Sequence, residues 1–206
     1  MGKGDQTRQA VLDQAVEVGR RVGLGGLTIG SLAEQMRMSK SGLFAHFRSK
    51  EGLQVSVLEH ARTAFEDTVA RPAIRAPRGE PRLRELFERW LVWAAAPGGC
   101  PFIAAAVEFD DQPGPVRDRL VRDQRDMLDM IATIFRTGIA EGHFRPDADP
   151  DQFAQDFDGV LLAFHHLCRL FGDERAESRA RRAFGALLDG ARPGPAEDGR
   201  AAPAAR

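Results

Sequence analysis

Small, hydroxylic and basic side chains are concentrated in the segment SKSGLFAHFRSKEGL, residues 39–53. Lysine ammonium groups and serine hydroxyls are groups that bind phosphate oxygens and the edges of bases. Residues 1–50 carry eight lysines and arginines against four acidic residues, whereas the rest of the chain carries 21 basic and 26 acidic residues. The sequence therefore predicts contact with a polyanion, and it restricts that contact to the N-terminal part of the chain.

Two other groups of residues could carry chemistry. Cys100, at a predicted helix start in GGCPF, is either a redox-responsive thiol or a small buried residue at a helix junction. His165 and Cys168 are three residues apart and could begin a metal site, but no second Cys/His cluster supplies further ligands. We therefore expect packing here, with no metal and no cofactor.

The composition narrows the class of protein. The chain has 206 residues, of which 43% are hydrophobic and 29% are charged, as expected for a globular protein with a buried core. No apolar run approaches the ~18 residues of a membrane span, and the N-terminus lacks the apolar core of a signal peptide. Two scattered cysteines do not form a disulfide framework. We expect a cytoplasmic protein that does not bind membranes.

The N-terminal elements that must position the basic segment are all predicted to be helices, because the apolar residues recur with helical periodicity. A first helix spans residues 5–22 and stops at Gly23. Thr28, Ser39 and Ser49 are placed to cap the three helices that follow. The last of these is long, spanning residues 49–70, and the proline-rich segment ARPAIRAPRGEP, residues 70–81, is expected to end it.

Five further helices are predicted over residues 82–96, 102–109, 116–141, 150–171 and 173–191. The fold class is therefore all-α with about nine helices: an N-terminal three-helix unit, joined by a long helix to a C-terminal bundle. The predicted domains are residues 5–65, with a helix-turn-helix at residues 28–47, and residues 78–191. Residues 192–206 are predicted to be a disordered tail.

A helix, a tight turn at residues 37–38 and a second helix from Ser39 have the spacing of a helix-turn-helix. The second helix of such a motif presents its first residues to the major groove. Small and polar side chains occupy this leading edge: Ser39, Lys40, Ser41 and Gly42. Leu43 and Phe47 are four residues apart and can pack inward, and Lys50 can meet a phosphate at the start of the next helix.

Residues 27–53, LTIGSLAEQMRMSKSGLFAHFRSKEGL, closely resemble the helix-turn-helix signature of TetR-type transcriptional regulators. In that family a threonine caps the first motif helix, a serine precedes the recognition helix, and an aromatic-x-His-Phe sequence is followed by a lysine. The matching residues of this chain are Thr28, Ser39, Phe44, His46, Phe47 and Lys50. The resemblance implies that residues 39–43 approach bases, and that Thr28, Phe44, His46 and Lys50 lie on the DNA backbone.

Two positions depart from the family pattern. Phe44 stands where a tyrosine is usual, and phenylalanine cannot donate the hydrogen bond that a tyrosine hydroxyl gives to a phosphate. Arg37 stands in the turn where glycine is usual, and it either strains the backbone or contacts phosphate itself. The predicted DNA-binding residues are Thr28, Arg37, Ser39, Lys40, Ser41, Gly42, Leu43, Phe44, His46 and Lys50.

Aromatic and methionine side chains in the C-terminal region could line an apolar ligand pocket, and plain core packing is the alternative for each of them. The resemblance implies a cavity in this region. Glu108, within the apolar run FIAAAVEFDD, is the polar group that we expect to orient a ligand. The predicted pocket residues are Phe65, Phe87, Trp90, Trp93, Phe102, Glu108, Met127, Met130 and His165.

The last two helices have wide apolar faces. The resemblance implies that they form a four-helix bundle with a twofold mate, through Phe157, Leu161, Phe164, Leu167, Phe184, Leu187 and Leu188. The expected function is that of a homodimeric repressor, released from a pseudo-palindromic operator by a small effector. The alternatives are a ligand-independent activator or accessory factor, and a helical enzyme using Cys100, His165 or Glu108. No nucleophile–base signature or phosphate loop supports an enzyme.

Overall fold

The computed structural model describes residues 3–194, and all the regular elements within that range are helical. In chain order they are α1 (Lys3–Val22), α2 (Ile29–Met36), α3 (Lys40–Phe47), α4 (Lys50–Phe65), a π-helical turn (Glu66–Ala70), α5 (Arg71–Arg75), α6 (Glu80–Ala95), α7 (Pro101–Phe109), α8 (Pro115–Ala140), α9 (Pro150–Phe171) and α10 (Ala176–Ala191). The run from α4 to α5 is continuous. Counted as one helix, it gives nine helices over the described residues and confirms the predicted fold class.

Side-chain caps begin α2, α3 and α4, as the sequence predicts. The hydroxyl of Thr28 accepts a hydrogen bond from the Ser31 amide at 3.0 Å. The hydroxyls of Ser39 and Ser49 accept from the amides of Gly42 and Gly52, at 3.1 Å and 2.9 Å. Each cap satisfies an amide that has no partner inside its helix and stabilises the helix by about 1 kcal/mol.

The helical run does not end before Pro72, which corrects the expected break over residues 70–81. Pro72 lies in the first turn of α5, directly after the π-helical turn, where the Arg71 amide bonds to the carbonyl of Glu66, five residues back. Proline breaks a helix because it cannot donate to the carbonyl four residues earlier. Here that carbonyl, of Thr68, accepts from the Arg89 guanidinium at 3.4 Å instead. The interruption falls at residues 76–79.

Two clusters of buried apolar side chains hold the helices together. The first is formed by α1–α4 and is completed by Ala105 and Phe109 of α7 and by Val116 and Leu120 of α8. The second joins the end of α4 to α6, α8, α9 and α10. The N-terminal helices therefore pack directly on α7 and α8, so that a movement in the C-terminal bundle can reach them.

Candidate DNA-binding site and ligand cavity

Helices α2 and α3 are held in a fixed relation by their turn and by their buried side chains. Arg37 is in the left-handed conformation, with φ 52° and ψ 38°, and its amide bonds to the carbonyls of Ala33 and Glu34. Leu32 of α2 and Leu43 and Phe47 of α3 are buried in the first apolar cluster. The Arg8 guanidinium lies 5.5 Å from the centre of the Phe47 ring. Helix α3 is thus anchored by one face and leaves the other face accessible.

Most of the predicted DNA-binding residues lie on that accessible side. Phe44 is 56% exposed, Gly42 and His46 are half-buried, and six others are exposed: Thr28, Arg37, Ser39, Lys40, Ser41 and Lys50. Leu43 is the exception and corrects the prediction, because its side chain is fully buried in the core and cannot reach a base. The Lys50 ammonium donates to the Gly25 carbonyl in this structure, and an ammonium has two further hydrogens to offer a phosphate.

Hydrogen bonds from two other helices, α4 and α7, hold the turn between α1 and α2. Gln54 of α4 is buried, and its amide group donates to the Leu24 carbonyl at 2.8 Å. On the other side the Gly25 amide donates to the Glu108 carboxylate of α7, also at 2.8 Å. A Cβ atom at Gly25 would lie 2.2 Å from that carboxylate oxygen, so only glycine allows this approach.

This contact corrects the prediction for Glu108, which was expected to orient a ligand. Its carboxylate bonds to the Gly25 amide and does not line the cavity described below. It lies on the side of α7 that faces the turn between α1 and α2, whereas Phe102 and Ile103, about one and a half turns earlier, line the cavity. The apolar run around Glu108 gives no indication of this, because α7 is apolar on several sides.

Arg20 of α1 makes a second contact with the C-terminal region, one that the sequence did not reveal. Its guanidinium donates to the Gly99 carbonyl at 2.8 Å and lies 4.6 Å from the centre of the Trp93 ring. Gly98 and Gly99 have φ of 88° and 79°, and a Cβ at Gly98 would lie 2.4 Å from Arg20. The glycine pair read as a helix break is therefore also a docking point for α1.

A cavity of about 90 Å³ lies between α4, α6, α7 and α8. Five predicted pocket residues line it: Phe65, Trp90, Phe102, Met127 and Met130. The prediction missed the polar lining residues Arg62, Glu66, Asp123, Gln124 and Asp126, together with Ala70, Cys100 and Ile103. The polar lining residues lie on α4, on the π-helical turn that follows it and on α8. They come together only after folding, because these elements are about 60 residues apart in sequence.

Three predicted pocket residues other than Glu108 lie outside this cavity. Phe87 is fully buried in the second cluster, where it stacks on Phe184 with ring centres 4.1 Å apart. Trp93 packs edge-on against Phe65 from the far side, toward Arg20. His165 of α9 approaches the loop at Gly99, and its burial lowers its pKa, with the nearby charges of Arg169 and His166 adding to the effect.

Charged side chains form the rim of the cavity. Arg62 donates to Glu66 at 2.9 Å, to Asp123 at 2.5 Å and to Asp126 at 2.7 Å. The hydrogen bonds that Arg62 donates, to Glu66 first and then to Asp123 and Asp126, raise the pKa of its guanidinium, so it stays charged. The buried Asp123 carboxylate also accepts from Arg119 at 2.8 Å. The rim joins α4 to α8 by ion pairs.

The predicted interface residues of α9 and α10 divide into two sets. Five are buried within the chain itself, a correction to the prediction: Phe157, Leu161, Phe164, Phe184 and Leu188. Phe157 and Phe184 contact Phe87 of α6 and so complete the core of one chain, while the buried Phe164 also lines the groove between α9 and α10. Leu167 and Leu187 are half-buried and line an open groove between α9 and α10, with the exposed Gly159, Leu162, Ala163 and Ala183.

Cys100 is buried beside the cavity, and burial raises the pKa of its thiol. No hydrogen bond joins it to His165 in the part of the chain that the structure describes. Residues 3–194 also contain no cluster of three His, Cys, Asp or Glu side chains arranged to hold a metal ion. None of the described helices is long and apolar enough to cross a membrane.

Comparisons with known proteins match both halves of the chain. Residues 11–57 match the family described as bacterial regulatory proteins, tetR family, and residues 79–184 match the tetracyclin repressor-like C-terminal domain. The HTH-type transcriptional repressor NicS of Pseudomonas putida (strain KT2440) is 26% identical over 146 residues, which are 70% of this chain and 69% of that protein.

Solved structures share the fold over nearly the whole length. A TetR transcriptional regulator from Chloroflexus aurantiacus J-10-FL has a TM-score of 0.81 at 26% identity, covering 92% of this chain and 96% of that one. AibR, solved in complex with isovaleryl coenzyme A and operator DNA, has a TM-score of 0.71 at 23% identity, covering 87% and 97%. This chain belongs to the TetR family of DNA-binding transcriptional regulators.

Proposed function

We propose that this regulator is a homodimeric repressor that leaves a pseudo-palindromic operator when a small effector fills the cavity between α4 and α8. The observation that carries the proposal is the exposed edge of α3, with Lys40, Ser41 and Phe44 presented by a helix anchored through Leu43 and Phe47. NicS, which is named as a repressor, favours repression over activation. We assign DNA binding to residues 5–65, and ligand binding and dimerisation to residues 78–191.

In this mechanism residues 39–42 read base edges, while Thr28, Phe44, His46 and Lys50 lie along the phosphates. The two copies of α3 in a dimer would enter successive major grooves, one helical turn apart. An effector that enters the cavity moves α4 relative to α8, so the two α3 helices no longer match the spacing of the grooves. Reducing operator occupancy in this way requires a coupling free energy of only about 1–3 kcal/mol.

The experiment is a footprint on the DNA next to the gene, followed by a salt titration of operator affinity. We expect protection of two half-sites about one helical turn apart, and release by a small molecule. The variants His46→Ala and Lys50→Ala should both weaken binding to all sequences, because each removes a phosphate contact, and Lys50→Ala should also flatten the salt dependence, because it removes a cation. An unchanged salt dependence in Lys50→Ala would contradict its phosphate role, and a footprint that no small molecule releases would contradict effector control.

A further inference from the structure

The cavity has an apolar interior and an acidic rim. Phe65 and Trp90 are buried, at 2% and 4% exposure, and Phe102, Met127 and Met130 pack beside them. The charged side chains lie toward solvent: the side-chain exposure of Arg62 is 33%, of Glu66 38% and of Asp126 57%. A ligand would therefore place an apolar body inside and a polar or charged group at the rim.

The rim favours a positive charge. Among the lining residues one cationic side chain, Arg62, faces three carboxylates, which leaves a formal excess of two negative charges. Arg62 is itself paired with all three of those carboxylates. An anionic ligand would have to displace a carboxylate from Arg62 and approach the other two. A cation would instead meet Glu66 and Asp126 on the exposed side of the rim.

Trp90, a residue that lines the cavity, has a hydrogen-bond donor that is not used. The indole nitrogen of Trp90 is buried, and no hydrogen-bond partner for it exists among residues 3–194. A buried donor without a partner destabilises the folded chain by about 1–3 kcal/mol, a cost that a ligand acceptor atom would remove. Trp90 and Phe65, whose ring centres are 5.2 Å apart, also present aromatic surface on which an apolar body can pack.

We propose that the effector class of this cavity is an organic cation whose apolar body carries a hydrogen-bond acceptor. The cationic group lies between Glu66 and Asp126, the body packs among Phe65, Phe102 and Met127, and the acceptor receives the Trp90 indole hydrogen. This inference rests on the proposed function, since it names the chemistry of the ligand that releases the repressor.

The test uses three probes that share a phenoxyethyl body and differ only in the group attached to it. The groups are trimethylammonium, its uncharged tert-butyl isostere and carboxylate. Binding to the full-length protein is measured by calorimetry and by the fluorescence of Trp90 and Trp93, the two tryptophans of the chain. We expect the cation to bind at least tenfold more tightly than either other probe. Equal or tighter binding of the uncharged or anionic probe, or no binding of any probe, would overturn the inference.

Two variants place the charge preference at the rim. Glu66→Gln and Asp126→Asn should each weaken binding of the trimethylammonium probe about fivefold, because each removes a carboxylate within Coulombic reach of the cation. Both should leave the tert-butyl probe unchanged. The matched control is Asp118→Asn, an exposed carboxylate at the start of the same helix, α8, outside the cavity. Equal weakening by the control would assign the preference to the overall charge of the protein and overturn the rim site.

Failure of this inference is separable from failure of the proposed function. The same three probes are added to the protein–operator complex and the footprint is followed. If the carboxylate probe releases the protein from the operator and the cation does not, the proposal of a ligand-released repressor is supported and the cationic class is overturned. An absent footprint before any probe is added would overturn the proposed function, while calorimetry still reports on the cavity.

Discussion

Arg37 adopts a backbone conformation that costs an arginine free energy and a glycine almost none. Its φ of 52° lies in the left-handed region, and its amide closes the end of α2. The side chain is exposed. The residue therefore joins two separable properties: a strained backbone in the helix-turn-helix turn, and a positive charge beside the DNA-facing surface.

Replacing Arg37 with glycine should separate these properties. We expect Arg37→Gly to raise the free energy of unfolding by about 1 kcal/mol, because glycine adopts the left-handed region without a steric penalty. It should also reduce the salt dependence of operator binding by about one phosphate contact. Urea denaturation and a salt titration of operator affinity measure the two effects. The matched variant Arg37→Ala keeps the strain and removes the charge, so it should change only the salt dependence. A gain in stability from Arg37→Ala would contradict the backbone argument.

Phe44 offers an exposed ring at the position where the family pattern has a tyrosine hydroxyl. Phe44→Tyr should tighten operator binding about fivefold, since a new hydrogen bond from the uncharged tyrosine hydroxyl to a phosphate contributes about 1 kcal/mol. The ring is 56% exposed, so the added hydroxyl has space and should leave stability unchanged. Operator affinity is measured at several salt concentrations. The salt dependence should stay the same, because no charge is added; an affinity equal to that of the unmodified protein would remove Phe44 from the phosphate contacts.

At the scale of single residues, the sequence predicts those contacts that join residues close together along the chain. The caps Thr28, Ser39 and Ser49 follow from local hydrogen-bonding rules and are all confirmed. Glu108 and Arg20 could not be placed, since each bonds to a backbone group about 80 residues away along the chain. Leu43 was placed among the DNA-contacting residues by its position in the motif, although its spacing from Phe47 already indicated that it packs inward.

At the scale of elements, α4 and α7 each connect the cavity to the DNA-binding helices. Helix α4 contributes Arg62 and Phe65 to the cavity, and Gln54 to the turn between α1 and α2. In α7, Phe102 near the start of the helix lines the cavity, and Glu108 near its end bonds to the other side of the same turn. A rigid helix carries a displacement at one end to the other. A ligand that separates α4 from α7 would therefore strain both hydrogen bonds that hold the turn, the one from Gln54 and the one to Glu108.

The variant Glu108→Gln tests this arrangement. The Gly25 amide would then bond to a neutral oxygen, so we expect the free energy of unfolding to fall by about 1 kcal/mol. If α7 transmits the signal, the ratio of operator affinities without and with effector should also decrease. Thermal denaturation and operator titrations measure the two quantities. The control Asp111→Asn removes an exposed carboxylate just beyond α7 that makes no contact with the turn. An unchanged ratio in Glu108→Gln would leave the transmission to α4 alone.

Element boundaries were predicted well where a strong local signal exists. The predicted helix 150–171 coincides with α9, which begins after the Asp149 cap and ends at the left-handed Gly172. Pro72 misled the prediction because a proline normally ends a helix, and the compensating bond from Arg89 to Thr68 comes from a different helix. The acidic rim was missed for the same reason, since Arg62 and Asp123 meet only through the packing of α4 on α8.

At the scale of the whole molecule, we propose that a second copy packs on the groove between α9 and α10. Leu162 is 43% exposed, and Ala163, Leu167, Ala183 and Leu187 line the same groove. A wide apolar face on a helix does not reveal which part is used within the chain and which part remains for a partner. Phe157 and Phe184 belong to the core of one chain, so in the proposed dimer the smaller groove residues would make the contacts.

A single charge in the groove should therefore separate the subunits. Ala183→Glu should raise the dissociation constant of the dimer at least about 100-fold, because a carboxylate would be buried between the two copies. The control is Ala186→Glu, one helical turn further along α10, exposed and outside the groove. Analytical ultracentrifugation should show a dimer for the unmodified protein and for Ala186→Glu, and monomer for Ala183→Glu. Operator binding should fall with dimerisation, since one chain spans one half-site. A dimer that withstands Ala183→Glu would mean that the chains associate through another surface, and the two α3 helices would then have a different spacing on DNA.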